Sequence, residues 1–314
     1  MSFINSIKGR ITGKLRTIIR SEVDKTLEVV FPQLLDFHNS SPETKQSFHD
    51  HTKYPVRNYP YYNSLRNRLN ELKVRVEDIA LDIQDFKKWL QAYPEICAMY
   101  ANSADAQIEK CLEHYLSFTL LGLSSTDTFV DIAAAGSPFS DLLRRRLGLR
   151  AYRLDLSYPK GIHGYNIGAD AGDTGLPEGF ATAMALHCAY ECFMGDADMR
   201  FIREASRILK PGGRYVILPL YLDKTYFVST SPYCNQKEVT IDSGATKLWR
   251  DDSYKIPFSR HYSPESFAER IYSLVPSNMS GTVYFLRNLP DVSKSFVGQR
   301  IYCYFAFLCT KTME

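Results

Sequence analysis

The chain has 314 residues, 45% of them hydrophobic and 23% charged, the make-up of an ordinary water-soluble protein with one large or two smaller domains. A formal net charge of +3 is too small to point to nucleic acid by itself, and no stretch approaches the roughly 18 to 20 apolar residues of a membrane span. Seven cysteines, an odd number without a CxxC pair, read as free thiols of a reducing, cytoplasmic compartment.

From the first residue, Lys8, Arg10, Lys14, Arg16 and Arg20 accompany Ile4, Ile7, Ile11, Leu15 and Ile18 at helical spacing, with no acid among the first twenty residues. Such a basic amphipathic segment suits peripheral contact with an anionic membrane surface; docking on the protein's own body or on a partner subunit and an Arg-rich transit peptide are the other readings open for it. Residues 32–63 hold enough Pro, His and Tyr to forbid a long regular element. Then Leu65, Leu69, Leu72, Val76, Ile79, Ile83, Phe86 and Leu90 alternate spacings of four and three until Pro94, a heptad that serves either a coiled-coil dimer or packing on the body of the protein. Like charges at Arg66, Arg68, Lys73 and Arg75 disfavour a parallel self-pair. Residues 1–105 are thus expected to form a helical N-terminal region, with a helix for membrane contact or homo-oligomer formation.

The run TFVDIAAAGSPFSDLLRRRL, Thr128 to Leu147, predicts a buried strand, a tight turn of small residues and a helix begun at Ser140 or Asp141. Asp131 lies near the carboxyl end of the strand, and Ala133, Ala135, Gly136 and Ser137 let a ligand approach the backbone. A second strand, AYRLDLS, ends in Asp155, placed where a doubly wound fold sets a carboxylate against ribose hydroxyls. A third unit gives a loop with Asp170 and Ala171, the strand Thr182 to His187 and a helix. In the fourth, a helix is stopped by Pro211, Gly212 and Gly213 before the apolar strand Tyr215 to Tyr221.

These four segments resemble class I S-adenosylmethionine-dependent methyltransferases over about Ser124 to Tyr221, with a weaker echo at Ser259 to Ile271. The resemblance implies a doubly wound, Rossmann-like α/β methyltransferase sheet whose last strand is antiparallel, spanning residues 106–314, and S-adenosyl-L-methionine as cofactor. It assigns the methionine end of the cofactor to Asp131, Ala133, Ala135 and Gly136, the ribose to Asp155, and the adenine side to Asp170 and Ala171. Alanines replace the family's glycines in the first loop, which requires the backbone there to keep φ negative.

Residues 222–261 are rich in aromatics, including Tyr226, Phe227, Tyr233, Trp249 and Tyr254, and suit either a lid-like insertion over a substrate or the core of a small hairpin layer. TVYFLRNL and IYCYFAFLCTK read as the last two strands. Methyl transfer to a hydroxyl needs a base, for which His187, at the end of its strand, and His261 are candidates, while Glu191 is a candidate base or substrate anchor. His187, Cys188 and Cys192 lack a fourth ligand, so no metal is expected. The acceptor expected is a sugar or glycan hydroxyl; the alternatives are O- or N-methylation of another small molecule and a catalytically inactive binding subunit.

Overall fold

The computed structural model describes residues 20–21, 28–50, 55–234, 239–250 and 256–313. The basic segment before Arg20 and the aromatic Tyr254 lie outside the described residues. Two compact units make up the chain, residues 1–49 with 228–259 and residues 50–227 with 260–314. Residues 50–105 belong to the same unit as the sheet.

In chain order the elements are α1 (Pro55–Glu71), β1 (Val76–Ile79), α2 (Ile83–Ala92), α3 (Pro94–Met99), α4 (Gln107–Leu121), β2 (Thr128–Ile132), α5 (Phe139–Leu147), β3 (Arg150–His163), β4 (Asn166–Gly168), β5 (Ala181–His187), α6 (Ala197–Ile208) and β6 (Leu209–Leu218). There follow β7 (Phe227–Thr230), β8 (Thr246–Trp249), β9 (Ser259–His261), α7 (Pro264–Arg270), β10 (Met279–Leu286), α8 (Leu289–Ser295) and β11 (Phe305–Lys311). Eight strands form one sheet in the order β1-β10-β11-β6-β5-β2-β3-β4. Strand β11 runs antiparallel to both its neighbours, and every other adjacent pair is parallel. From β2 the chain winds outward through β3 to β4, then returns to the other side of β2 for β5 and β6. The order reverses between β2 and β5, whose carboxyl ends define the topological switch point where ligands of such sheets bind.

The central strands read as continuous apolar runs because both their faces are covered: Phe129, Val130, Ile132 and Ala183 to Leu186 are all buried. Strand β6 starts at Leu209, inside the LKPGG turn, six residues before the expected start. Gly213 makes this course available, since a Cβ there would lie 2.8 Å from Lys210 O and 3.2 Å from Thr182 O.

The heptad of residues 65–90 does not form a continuous helix. Lys73 adopts a left-handed φ of 63°, closing α1, and the apolar positions are shared among α1, β1 and α2. Leu65, Leu69 and Phe86 are buried in the core of the larger unit and Leu72, Val76, Ile79, Ile83 and Leu90 pack against it, so packing on the protein's own body uses the stripe that a coiled coil would have needed. Strand β1 pairs with β10, Asn288 bonds the N–H and carbonyl of Leu81 at 2.9 Å each, and the Asp82 carboxylate caps α2.

Behind the sheet, Asp198 of α6 and Arg260 are both fully buried, with Nη1 2.9 Å from Oδ2. Asp198 also accepts from Tyr262 Oη at 2.6 Å, from Arg270 Nε at 2.8 Å and from the Met199 amide at 2.9 Å. Arg260 donates further to Phe193 O and Gly195 O, so the buried charges are neutralised and hydrogen-bonded together.

In the segment expected as a lid, β7 to β9 form a three-stranded sheet in the order β8-β7-β9. Phe227 and Trp249 are buried, whereas Tyr233 is 57% exposed. These positions fit the hairpin-layer reading of the segment. Among the described residues, no helix is long and apolar enough to cross a membrane.

Candidate active site

At the switch point, a cavity of about 340 Å³ is lined by Met99, Tyr100, the turn Asp131 to Ser137, His187 and Cys188. This is within the size range of small-ligand pockets. Its floor is the β2–α5 turn, in which Ala133 and Ala135 have φ of 54° and 42°. The requirement for negative φ is thus not met: the turn keeps the left-handed geometry that glycine would adopt freely, and each alanine bears the strain of its Cβ. Replacing Ala133 or Ala135 by glycine is expected to stabilise the fold by about 1 kcal/mol each. An upward shift of the urea midpoint checks this, and a downward shift would show that the turn is unstrained.

The turn is clasped by the end of β3. The Ala134 amide donates to Leu154 O at 3.1 Å, the Ala135 amide to Asp155 Oδ2 at 2.9 Å, and Tyr158 Oη donates to Ala135 O. Asp155 also accepts from the amide and hydroxyl of Ser157, at 2.8 and 2.7 Å. Its carboxylate stands behind the turn and outside the cavity lining, holding the backbone in place.

Asp131 is 1% exposed. Its Oδ1 accepts from His187 Nδ1 at 3.1 Å, while its Oδ2 has no hydrogen-bond partner. A buried carboxylate oxygen left without a donor is costly, and an ammonium group entering the cavity would satisfy it. His187 Nε2 lies 2.9 Å from Ser117 Oγ, so both ring nitrogens are engaged and the imidazole braces Asp131. To act as a base it would first have to part from Ser117. Behind it, His114 sits between Tyr100 and Phe139, with ring centroids at 5.6 and 4.5 Å. Burial, and then the neighbouring His187, hold His114 well below the usual histidine range.

Of the residues read from the sequence, Asp131, Ala133, Ala135, Gly136 and His187 thus meet at one cavity. Asp170 does not join them: it accepts from the Gly172 amide at 2.7 Å and from Arg200 Nη2 at 3.0 Å, and neither it nor the buried Ala171 lines the cavity. Glu191 is buried in the turn Tyr190–Cys192, and His261 stacks on Phe227 with ring centroids 4.4 Å apart.

Sequence reasoning missed the polar face of α4. There Lys110 Nζ lies 2.9 Å from Glu113 Oε1, 2.5 Å from Cys188 Sγ and 3.2 Å from Tyr302 Oη. A signal existed: Lys110, Glu113, His114 and Ser117 recur at helical spacing in an otherwise apolar stretch. Next to Lys110, Glu109 is buried and accepts from the Tyr302 amide at 2.9 Å, and burial together with Glu113 pushes its pKa up to about 8. Because this lies above the unfolded value near 4.5, the native state binds the extra proton between the two, and stability falls as pH rises through that window. Glu109→Gln removes the titration, so its stability relative to wild type should climb by up to about 1.4 kcal/mol per pH unit across the same window. Urea midpoints measured at successive pH values check this; a constant difference would show that Glu109 titrates normally.

No family model and no curated relative matches the chain. Among solved structures it is similar to the 1,6-didemethyltoxoflavin-N1-methyltransferase of Burkholderia thailandensis, crystallised with 1,6-didemethyltoxoflavin and S-adenosylhomocysteine: 10% identity, TM-score 0.42, covering 76% of this chain and 94% of that one. It is also similar to geranyl diphosphate C-methyltransferase of Streptomyces coelicolor A3(2), at 16% identity and TM-score 0.39, covering 65% of this chain and 77% of that one. By the order and direction of its own strands, with the antiparallel β11 set between β6 and β10, the chain has the Rossmann-like fold of class I methyltransferases.

Proposed function

We propose that the chain is an S-adenosylmethionine-dependent methyltransferase that methylates an oxygen of a small molecule. The observation that carries this reading is the unpartnered, buried Oδ2 of Asp131, a residue that lines a switch-point cavity together with a left-handed turn of small residues. These residues fit the group: Asp131 would take the amino group of the methionine moiety, and Ala133, Ala135 and Gly136 would let it approach the backbone. When bound, S-adenosylmethionine supplies a sulfonium methyl group to an acceptor lone pair, the electron pair of the broken C–S bond passing to sulfur. The chain's own part is to hold the two reactants in line and to take the acceptor's proton.

The sugar or glycan acceptor rests on the helical N-terminal region, the basic first residues and the aromatics of residues 222–261. Burial of Phe227 and Trp249 leaves little of that surface for a glycan, so a small hydroxylated molecule is the better-supported acceptor. Titration calorimetry with S-adenosylmethionine tests the cofactor assignment. A saturable heat, competed by S-adenosylhomocysteine and lost in Asp131→Ala, is expected. Absence of any saturable heat in the wild-type protein would overturn the reading.

A further inference from the structure

Where β5 ends, Cys188 holds a left-handed φ of 46° and lines the cavity, and its thiol is the focus of polar groups from separate parts of the chain. Lys110 Nζ stands 2.5 Å from Sγ, Glu113 Oε1 3.1 Å, Tyr221 Oη 3.5 Å and Tyr302 Oη 3.9 Å. A thiol is a weak donor and a weak acceptor, so it serves an ammonium and two phenol hydroxyls poorly. An oxygen brought to that point would take stronger hydrogen bonds from all three. Burial holds both tyrosine hydroxyls well above their usual range, keeping them protonated as donors. The Tyr221 and Tyr302 rings are stacked with centroids 6.2 Å apart, and the His261 ring lies 5.0 Å from Tyr221, aromatic surroundings that favour a planar acceptor.

We propose that Lys110, Tyr221 and Tyr302 form the site that binds the acceptor's hydroxyl, on a planar ring of phenol or enol type, and that Glu113 takes its proton. The assignment rests on the methyltransferase reading above and names its acceptor class. Entry of the hydroxyl displaces the Cys188 thiol from Glu113. The acceptor's O–H bond then breaks, its electron pair stays on the oxygen, and the proton forms a new O–H bond on the Glu113 carboxylate. Lys110 and the two tyrosine hydroxyls hold the oxygen that remains. The other acidic groups bearing on the locus are Glu109, next to Tyr302, and Glu191, next to Cys188 and Tyr221. Glu109, whose pKa is raised to about 8, is mainly uncharged at neutral pH, and with Glu191 near, the ionised oxygen depends on the three donors together.

The test uses the full chain without S-adenosylmethionine and 4-nitrophenol as the probe, whose ionisation is read from its absorption. At a pH one unit below the probe's own pKa, binding is expected to shift its acid–base ratio about tenfold toward nitrophenolate. Tyr221→Phe and Tyr302→Phe should each weaken binding about three- to tenfold, the loss of one hydrogen bond. Glu113→Gln should bind the probe without ionising it, and Lys110→Met should lose both effects. Should Lys110→Met not fold, the two tyrosine variants decide. Unchanged binding and ionisation in both would overturn the proposal, as would displacement of the probe by methyl glucoside at lower concentration than by unlabelled phenol. Failure of this titration beside intact S-adenosylmethionine binding removes only the acceptor assignment, whereas the reverse result removes the methyltransferase reading.

Discussion

Asp198→Ala is expected to destabilise the larger unit by on the order of 3–5 kcal/mol, the usual cost of leaving a buried charge without its partner. Arg260 has no exposed side-chain surface, and its guanidinium also donates to the carbonyl oxygens of Phe193 and Gly195. Neutral oxygens accept its hydrogen bonds but do not neutralise its charge. The same change removes the acceptor of Arg270 Nε and of the Tyr262 hydroxyl, so α6 and the segment around β9 lose their common anchor together. Since whole domains are commonly stable by about 5–15 kcal/mol, this single substitution consumes a large part of the total. A urea titration followed by circular dichroism measures it. A loss below about 1 kcal/mol would mean that Arg260 finds another anion or reaches water.

Asp131→Asn is expected to lower S-adenosylmethionine affinity about thirty- to a hundredfold. Asparagine preserves the shape and still accepts from His187, but it withdraws the negative charge from an ammonium partner, a difference of about 2–2.7 kcal/mol for a charge-assisted bond. Stability should change far less, because Oδ2 has no partner within the protein that could be lost. Asp155→Asn, by contrast, should act on the turn through the Ala135 amide and weaken binding by a smaller factor. Calorimetry on both variants separates the roles. Equal losses would mean that Asp131 supports only the backbone and does not meet the ligand.

The sheet was legible in the sequence where the physical signal is local. Phe129, Val130 and Ile132 beside Asp131 announce a buried strand, and the small residues after it announce a turn, because those properties act on neighbouring residues. The sign of φ at Ala133 and Ala135 was not legible, since tertiary clasps from Leu154, Asp155 and Tyr158 impose it. Spacings of three and four from Leu65 to Leu90 match a heptad equally well when two short helices and a strand share them, and Lys73 carries no glycine-like mark of the turn it makes. Asp155 and Asp170 stood at the expected positions along the chain, yet which partners a carboxylate finds depends on Ser157, Gly172 and Arg200, and that only the folded chain decides. Lys110 and Glu113 were overlooked because their partners Cys188 and Tyr302 are supplied by distant segments.

The pairing of β1 with β10 has a consequence for how the molecule comes into being. Leu81 and Asn288, which pin that pairing, are 207 positions apart. During synthesis β1 emerges early and must wait, its ladder groups bonded to water, while β2 to β6 and the helices around them are already complete. Such distant pairings slow folding, because the chain must give up its freedom over a long loop before the contact rewards it. The edge of the sheet at β1 is therefore assembled last, and a nascent chain halted before Met279 would lack both β10 and β11 and leave the edge of β6 open to pair with a neighbour.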